Sequence, residues 1–141
     1  MNFFFDTSVL ISAFLDGHVH QKPSLAAFSN ADRKSSCCAA HSLAEVYSVL
    51  TRLPGEFRVD GSHASLFLEN IAARLSFIAL DSSEYWSTIM NAAEMGVTGG
   101  RIYDALLARC ALKARAEVIY TWDLTHYLQL GDDVAQRVRT P

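Results

Sequence analysis

The sequence predicts an α/β fold, a three-layer α/β/α sandwich around a parallel sheet of four or five strands. Short apolar runs alternate along the chain with longer segments of helical periodicity. Strands that are separated by helices pair in parallel through crossover connections. The length of 141 residues is the usual size of one domain. Pro and Gly are sparse and fall between the predicted elements, so we expect a single domain over residues 1–141.

A local signal predicts each element. Phe3–Phe5 is apolar throughout, as expected of a strand buried on both faces. Pro23 suits the first turn of a helix, and Pro54 ends the helix that precedes Pro54 in the sequence. Apolar residues at helical spacing mark the longer helices. The expected strands are 3–5, 36–40, 77–80, 118–122 and an edge strand over 134–138. The expected helices are 7–15, 23–33, 42–53, 62–75, 82–95, 101–115 and 124–130.

The composition excludes several classes of protein. Half of the residues are apolar and 19% are charged, so the chain can bury a core and is not disordered. Twelve Lys and Arg against fifteen Asp and Glu give a net charge of -3, which argues against a nucleic-acid binder that relies on bulk positive charge. The odd cysteine count without a CxxC favours the reducing cytoplasm over a disulfide framework or a zinc site. No segment approaches the roughly 18 apolar residues of a membrane span, and we expect no membrane contact.

Four acidic residues fall at one edge of the predicted sheet. Asp6 and Asp123 directly follow strands, Glu45 lies just after the second strand, and Asp104 is in the first turn of a helix that leads into the next strand. The carboxyl ends of parallel strands share an edge, and a helix that leads into a strand begins at that edge. Gathered carboxylates raise one another's pKa or recruit a cation, and Mg²⁺ and Mn²⁺ favour carboxylate oxygen and water. The edge is therefore predicted to hold a divalent-cation site suited to phosphodiester hydrolysis.

Each acid also has a structural interpretation. Asp6 and Asp123 precede predicted helices, where an Asp side chain accepts the free N–H groups. Ser42 and Glu45 have the spacing of a capping box. Asp104 lies where the helix dipole favours an acid, although the rest of that helix is strongly apolar and a carboxylate there needs a partner. From the residues alone, both interpretations stay open.

Around these acids the sequence resembles the PIN-domain nucleases, and within them the VapC-type toxins of toxin–antitoxin systems. The likeness runs from the opening Phe run to Arg139. The segments that resemble the four acidic motifs of the family are 4–10, 42–46, 99–106 and 121–127. In the fourth segment, relatives often carry Asn and Phe at the positions of Asp123 and Tyr127.

The resemblance implies a Mg²⁺-dependent endoribonuclease, with Mn²⁺ as an alternative, whose substrate is RNA. It also implies a homodimer and an antitoxin whose C-terminal segment lies across the active-site groove. The catalytic and metal-binding residues would be Asp6, Glu45, Asp104 and Asp123. Arg101 is a candidate for gripping a substrate phosphate, the alternative being a solvated Arg in a first helical turn. Thr7 is a second candidate substrate-binding residue.

Three other functions stay open. The first is a Mg²⁺-dependent phosphohydrolase, although a haloacid-dehalogenase-like phosphatase has a second Asp two residues after the first, where this chain has Ser8. The second is a non-enzymatic protein that only binds RNA or protein, although all four acidic positions are filled. The third is a stand-alone RNA-processing nuclease, which the absence of an antitoxin reading frame upstream would favour.

Overall fold

The computed structural model describes all 141 residues and has a five-stranded parallel sheet between two layers of helices. The strands are β1 (Phe3–Phe5), β2 (Ser36–Ala39), β3 (Ser76–Ile78), β4 (Val118–Tyr120) and β5 (Val138–Arg139). The helices are α1 (Thr7–Phe14), α2 (Gln21–Ser29), α3 (Ala40–Thr51), α4 (Gly61–Arg74), α5 (Ser82–Glu94), α6 (Arg101–Lys113), α7 (Leu124–Tyr127) and α8 (Asp132–Ala135). A short 3-10 helix covers Gly55–Phe57. The predicted α/β/α fold is confirmed, with five strands.

The order of strands in the sheet is β3-β2-β1-β4-β5, and every neighbouring pair is parallel. The chain moves outward from β1 through β2 to β3 and then returns to the other side of β1 with β4. The strand order therefore reverses between β1 and β4, where Phe5 pairs with Tyr120. In open α/β sheets, ligands bind in the crevice beyond the carboxyl ends of the strands at such a reversal. The topology thus points to the residues that follow Phe5 and Tyr120.

Alternate strand residues contribute to two cores, one on each face of the sheet. Phe5 and Cys38 pack with apolar residues of α1 to α4. Phe4, Cys37 and Ile119 pack with residues of α5 to α8. This explains why the opening strand is apolar on both faces. All three cysteines of the chain are buried free thiols, and no helix has both the length and the apolar character needed to cross a lipid bilayer.

Several predicted segments have different bounds in the structure, and two of these differences have a clear local cause. Helix α2 ends at Ser29 instead of residue 33, because the side chain of Asp32 accepts the backbone N–H groups of Lys34 and Ser35 and turns the chain into β2. The predicted edge strand exists as β5, but its predicted bounds of 134–138 are wrong, since residues 132–135 form α8 and the strand begins at Val138. Val134 and Val138 are both buried, and a spacing of four suits a helical turn as well as a strand.

Helix α3 begins at Ala40, directly after β2 and two residues before the predicted start. Ser42 consequently lies inside the helix, and its buried hydroxyl is hydrogen-bonded to the Thr7 hydroxyl at 2.8 Å. No side chain caps the N-terminus of α3. The predicted capping box of Ser42 and Glu45 is therefore wrong, and the Glu45 carboxylate has no capping role.

Candidate active site

The structure brings the four predicted acids to the carboxyl edge of the sheet. Asp6 directly follows β1, and Asp123 lies three residues beyond the end of β4. Glu45 is in the second turn of α3, and Asp104 is in the first turn of α6. Their exposure differs: Asp6 is 2% exposed, the side chains of Asp104 and Glu45 are 22% and 32% exposed, and Asp123 is at the surface. We call these four side chains the acidic cluster.

Asp6 is the buried centre of the acidic cluster and is held by three hydroxyl groups. Oδ2 accepts hydrogen bonds from Ser8 at 2.6 Å and from Thr121 at 2.8 Å, and Oδ1 accepts one from Tyr127 at 2.7 Å. Burial and the charge of Asp6 raise the pKa of the Tyr127 hydroxyl well above its usual value, so this group stays a donor. Asp6 also accepts from the backbone N–H of Ser8, which confirms the predicted N-cap of α1. Capping α1 therefore accounts for only one of the hydrogen bonds that the Asp6 carboxylate accepts.

Glu45 is joined to Asp6 through the first turn of α1. The Thr7 hydroxyl donates a hydrogen bond of 2.9 Å to Glu45 Oε1, and Thr7 itself is 7% exposed. On the other side, His41 Nε2 lies 3.9 Å from the same oxygen. Burial raises the pKa of Glu45 and the charge of Asp6 adds to the rise, while Thr7 and His41 oppose it. The charges of Glu45 and Asp6 therefore interact, which makes Glu45 part of the acidic cluster.

The carboxyl group of Asp104 has the most strongly shifted pKa of the acidic cluster. Burial raises its pKa from 3.8 to about 6, and the charges of Asp6 and Asp123 add to this rise. His126 opposes the rise with a contact of 3.2 Å between Nδ1 and Asp104 Oδ2. Three carboxylates are thus close enough to repel one another, with His126 as their neighbouring cationic partner when it is protonated.

Asp123 occupies the position before α7, but its side chain makes no capping hydrogen bond. Its backbone N–H donates to the Thr121 hydroxyl at 3.0 Å, and its carboxylate makes no hydrogen bond within the chain. Partial burial and the charge of Asp6 raise the pKa of Asp123, and His126 opposes this. The capping interpretation of the Asp123 side chain is therefore wrong.

The two predicted substrate-binding residues lie in different surroundings. Arg101 is the first residue of α6 and is partly exposed, and its guanidinium donates a hydrogen bond to Gln129. Thr7 is buried, and its hydroxyl is engaged by Ser42 and Glu45. The structure thus leaves Arg101 near the surface and directs Thr7 inward.

The sequence analysis did not predict that five polar residues hold the acids in place. These residues are Ser8, His41, Thr121, His126 and Tyr127. Ser8 and Thr121 lie within two residues of an acid of the cluster, and a hydroxyl at such a position was the available signal. Tyr127 meets Asp6 across 121 positions of sequence, and no local pattern predicts that contact.

The chemistry of the acidic cluster fits a hard divalent cation. Its donors are all carboxylate oxygens, which are the protein ligands that Mg²⁺ and Mn²⁺ prefer, and a bound cation would neutralise their mutual repulsion. As positioned, no three His, Cys, Asp or Glu side chains of the chain converge as a finished metal-ligand group. Asp6 is fixed by its hydrogen bonds, whereas Glu45 and Asp123 are exposed enough to rotate toward it.

Sequence comparison identifies the family and close relatives. The family model described as PIN domain matches residues 3–127. Ribonuclease VapC40 of Mycobacterium tuberculosis is 34% identical over 114 residues, which is 81% of each chain. Ribonuclease VapC27 of the same organism is 38% identical over 114 residues, which is 80% of this chain and 79% of the relative. These relatives confirm the predictions of a VapC-type PIN domain and of a nuclease.

Solved structures share the fold at low sequence identity. The crystal structure of VapC20 from Mycobacterium tuberculosis, a toxin that cleaves the sarcin-ricin loop, has a TM-score of 0.71 at 14% identity and covers 86% of this chain and 90% of its own. The structure of VapBC2 from Rickettsia felis, bound to a promoter DNA fragment, has a TM-score of 0.64 at 14% identity. The match covers 99% of this chain and 98% of the VapBC2 chain. With its fold, its four acids and a family match over residues 3–127 in agreement, the chain belongs to the PIN-domain family.

Proposed function

We propose that the chain is a divalent-metal-dependent endoribonuclease and the toxin of a toxin–antitoxin pair. The observation that carries the proposal is the acidic cluster, in which burial and neighbouring carboxylates raise the pKa of Asp104 to about 6. A perturbed carboxyl group in a cleft, with a stated charge partner, is typical of a functional site. The two ribonuclease relatives support RNA as the substrate.

The residues that would hold Mg²⁺, or Mn²⁺ in its place, are Asp6, Glu45, Asp104 and Asp123. When bound, the cation activates water and neutralises charge on the phosphate that is transferred. Asp6 acts as the fixed anchor, since hydroxyl donors already hold both of its oxygens. At pH above about 6, Asp104 is ionised and available as a ligand. The same four residues are the proposed catalytic residues.

The surrounding residues orient this set. Thr7 orients Glu45 through its hydrogen bond in the absence of the cation, so its effect on RNA is indirect. His126 pairs with Asp104 Oδ2 and leaves Oδ1 without a hydrogen bond. Arg101, at the start of α6, is the proposed contact for a substrate phosphate, because guanidinium groups bind phosphate oxygens well.

The proposed partners are a cognate antitoxin and a second copy of the chain, in the cytoplasm. The solved VapBC2 assembly from Rickettsia felis supports an antitoxin partner for a protein of this fold. A run of exposed apolar side chains on α5, Trp86, Ile89 and Met90, supplies surface that a partner would cover. The antitoxin is expected to lie across the groove that leads to the acidic cluster.

The test is cleavage-site mapping on total cellular RNA with the purified chain. We expect internal cuts with Mg²⁺ or Mn²⁺ and none in excess EDTA. Undiminished cleavage in EDTA would refute the metal mechanism. Hydrolysis of a phosphomonoester without any cleavage of RNA would favour the phosphohydrolase alternative instead.

A further inference from the structure

Two aromatic rings bridge the helices that carry Glu45 and Asp104. The His41 ring, in the first turn of α3, stacks on the Tyr103 ring, in the first turn of α6, with centroids 5.5 Å apart and planes 7° apart. Tyr103 is 48% exposed although His41 covers one face of its ring. Nearly half of Tyr103 is thus open to solvent next to Asp104, and its hydroxyl makes no hydrogen bond within the chain.

A surface groove begins at His41, the partner of Tyr103, and follows α3 away from the acidic cluster. The groove has a volume of about 270 Å³ and is lined by His41, Glu45, Ser48 and Arg52 together with Ala44 and Val49. These positions recur every three or four residues, so they form one face of the helix. Arg52 closes the far end and forms no ion pair with any carboxylate of the chain. The groove thus joins the acidic cluster to an unpaired cation.

We propose that this surface is a subsite for single-stranded RNA, in which a base next to the scissile phosphate stacks on Tyr103 and a following phosphate binds Arg52. The proposal rests on the endoribonuclease function proposed above. Bases that are free of a duplex stack on exposed aromatic rings, and this contact tolerates every sequence because each base has a π face. Guanidinium groups bind the phosphates between the bases.

The charge of the chain favours stacking as the main source of RNA affinity. With a net charge of -3, the protein lacks the broad positive surface on which sequence-independent binding usually depends. The opposite aromatic pair, His20 on Trp122 with centroids 3.7 Å apart, is less suitable. Trp122 donates its Nε1–H to the buried Ser24, and His20 covers its ring. Of these two aromatic pairs, the one with Tyr103 therefore leaves a ring available to a base.

The first test measures steady-state cleavage of a single-stranded RNA oligonucleotide that spans a mapped cleavage site. Tyr103→Ala and Tyr103→Leu should each raise KM roughly tenfold and leave kcat within about twofold, because a stacked base contributes equally to ground state and transition state. Tyr103→Phe keeps the ring and should keep the wild-type KM. The matched control is Phe77→Ala. Phe77 is 42% exposed and lies on the edge strand β3, outside the lining of the groove.

The second test uses the salt dependence of KM for the same oligonucleotide. Arg52→Gln removes one phosphate contact and should reduce the slope of log(1/KM) against log salt by about 0.7. Arg115→Gln, beyond the far end of α6, should leave the slope unchanged. A wild-type KM for Tyr103→Ala, or a fall in kcat alone, would overturn the subsite while wild-type cleavage left the proposed function intact. Absence of RNA cleavage by the wild-type protein would overturn the proposed function and the subsite with it.

Discussion

The hydroxyl of Tyr127 donates a hydrogen bond of 2.7 Å to Asp6 Oδ1, and both residues are buried. This contact joins the end of β1 to α7, which lies after β4. It fixes one oxygen of Asp6, while Ser8 and Thr121 fix the other. The acidic cluster therefore has a rigid centre surrounded by more exposed carboxylates.

Replacing Tyr127 by Phe should destabilise the metal-free protein by about 1–3 kcal/mol, since the change removes one hydrogen bond to a buried charged group. Urea denaturation in EDTA measures the effect. Tyr120→Phe is the control, because Tyr120 packs through its ring against Phe3 and should change stability by less than about 0.5 kcal/mol. Equal stability of Tyr127→Phe and wild type would show that the bond does not hold Asp6.

Asp104→Asn should stabilise the metal-free protein above pH 7. In the folded state Asp104 keeps its proton up to a pKa of about 6, while the usual value is 3.8. The folded state thus binds more protons between these values, and the stability of the wild type falls as pH rises through this interval. Asn stays neutral at every pH, so the variant avoids a loss of about 1–3 kcal/mol in the free energy of unfolding.

The gain for Asp104→Asn should disappear at about pH 3, below the ordinary pKa of 3.8, where the wild-type carboxyl group is largely protonated in both states. Denaturation curves in EDTA at about pH 8 and about pH 3 measure this difference. Glu84→Gln is the control, because Glu84 pairs with Lys113 at 2.7 Å and gains nothing from neutralisation. A loss of stability for Asp104→Asn at pH 8 would contradict the repulsion described here.

Glu45→Gln should fold normally and lose most RNA cleavage. Glu45 caps no helix, and Gln Oε1 can still accept the hydrogen bond from Thr7. Neutralising one carboxylate of the cluster is expected to slow single-turnover cleavage by ~10³-fold, which corresponds to about 4 kcal/mol of transition-state stabilisation. Glu69→Gln, on the surface of α4, is the matched control. Wild-type rates in Glu45→Gln would remove Glu45 from the site.

The chain should form a homodimer in solution and bind its antitoxin tightly. Light scattering at high protein concentration measures the first expectation, and a monomer would contradict it. The second is measured by RNA cleavage in the presence of a candidate antitoxin, the product of a small neighbouring reading frame. We expect inhibition at saturation, and unhindered cleavage would show that this protein is not an antitoxin.

The sequence predicted the fold where hydrophobic periodicity and strand position agree. The apolar run Phe3–Phe5 and the helix that starts at Arg101 were placed correctly. The start of α3 was misplaced because β2 passes into the helix without an intervening turn, which no capping pattern reveals. The segment over 134–138 was misread because two buried Val residues four positions apart fit either a strand or a helical turn.

The acids of the candidate site were predictable because parallel topology brings the strand ends to one edge. The residues that hold these acids in place were not predictable, because the contacts of Asp6 with Thr121 and Tyr127 depend on the register between β1 and β4. The pairing of His126 with Asp104 likewise joins α6 to α7 across 22 positions. Such contacts follow from packing, and the only local signal among them is the hydroxyl of Thr121, two residues before Asp123.

The central claim is that the acidic cluster holds a divalent cation, and calorimetric titration with Mn²⁺ or Mg²⁺ at pH 7.5 tests it most directly. The titration compares the wild type with Asp104→Asn and with Asp132→Asn, a control at the exposed start of α8. We expect saturable binding to the wild type and to Asp132→Asn, and loss of most affinity in Asp104→Asn. Absence of binding to the wild type, or equal affinity in all three proteins, would contradict a metal site at these carboxylates.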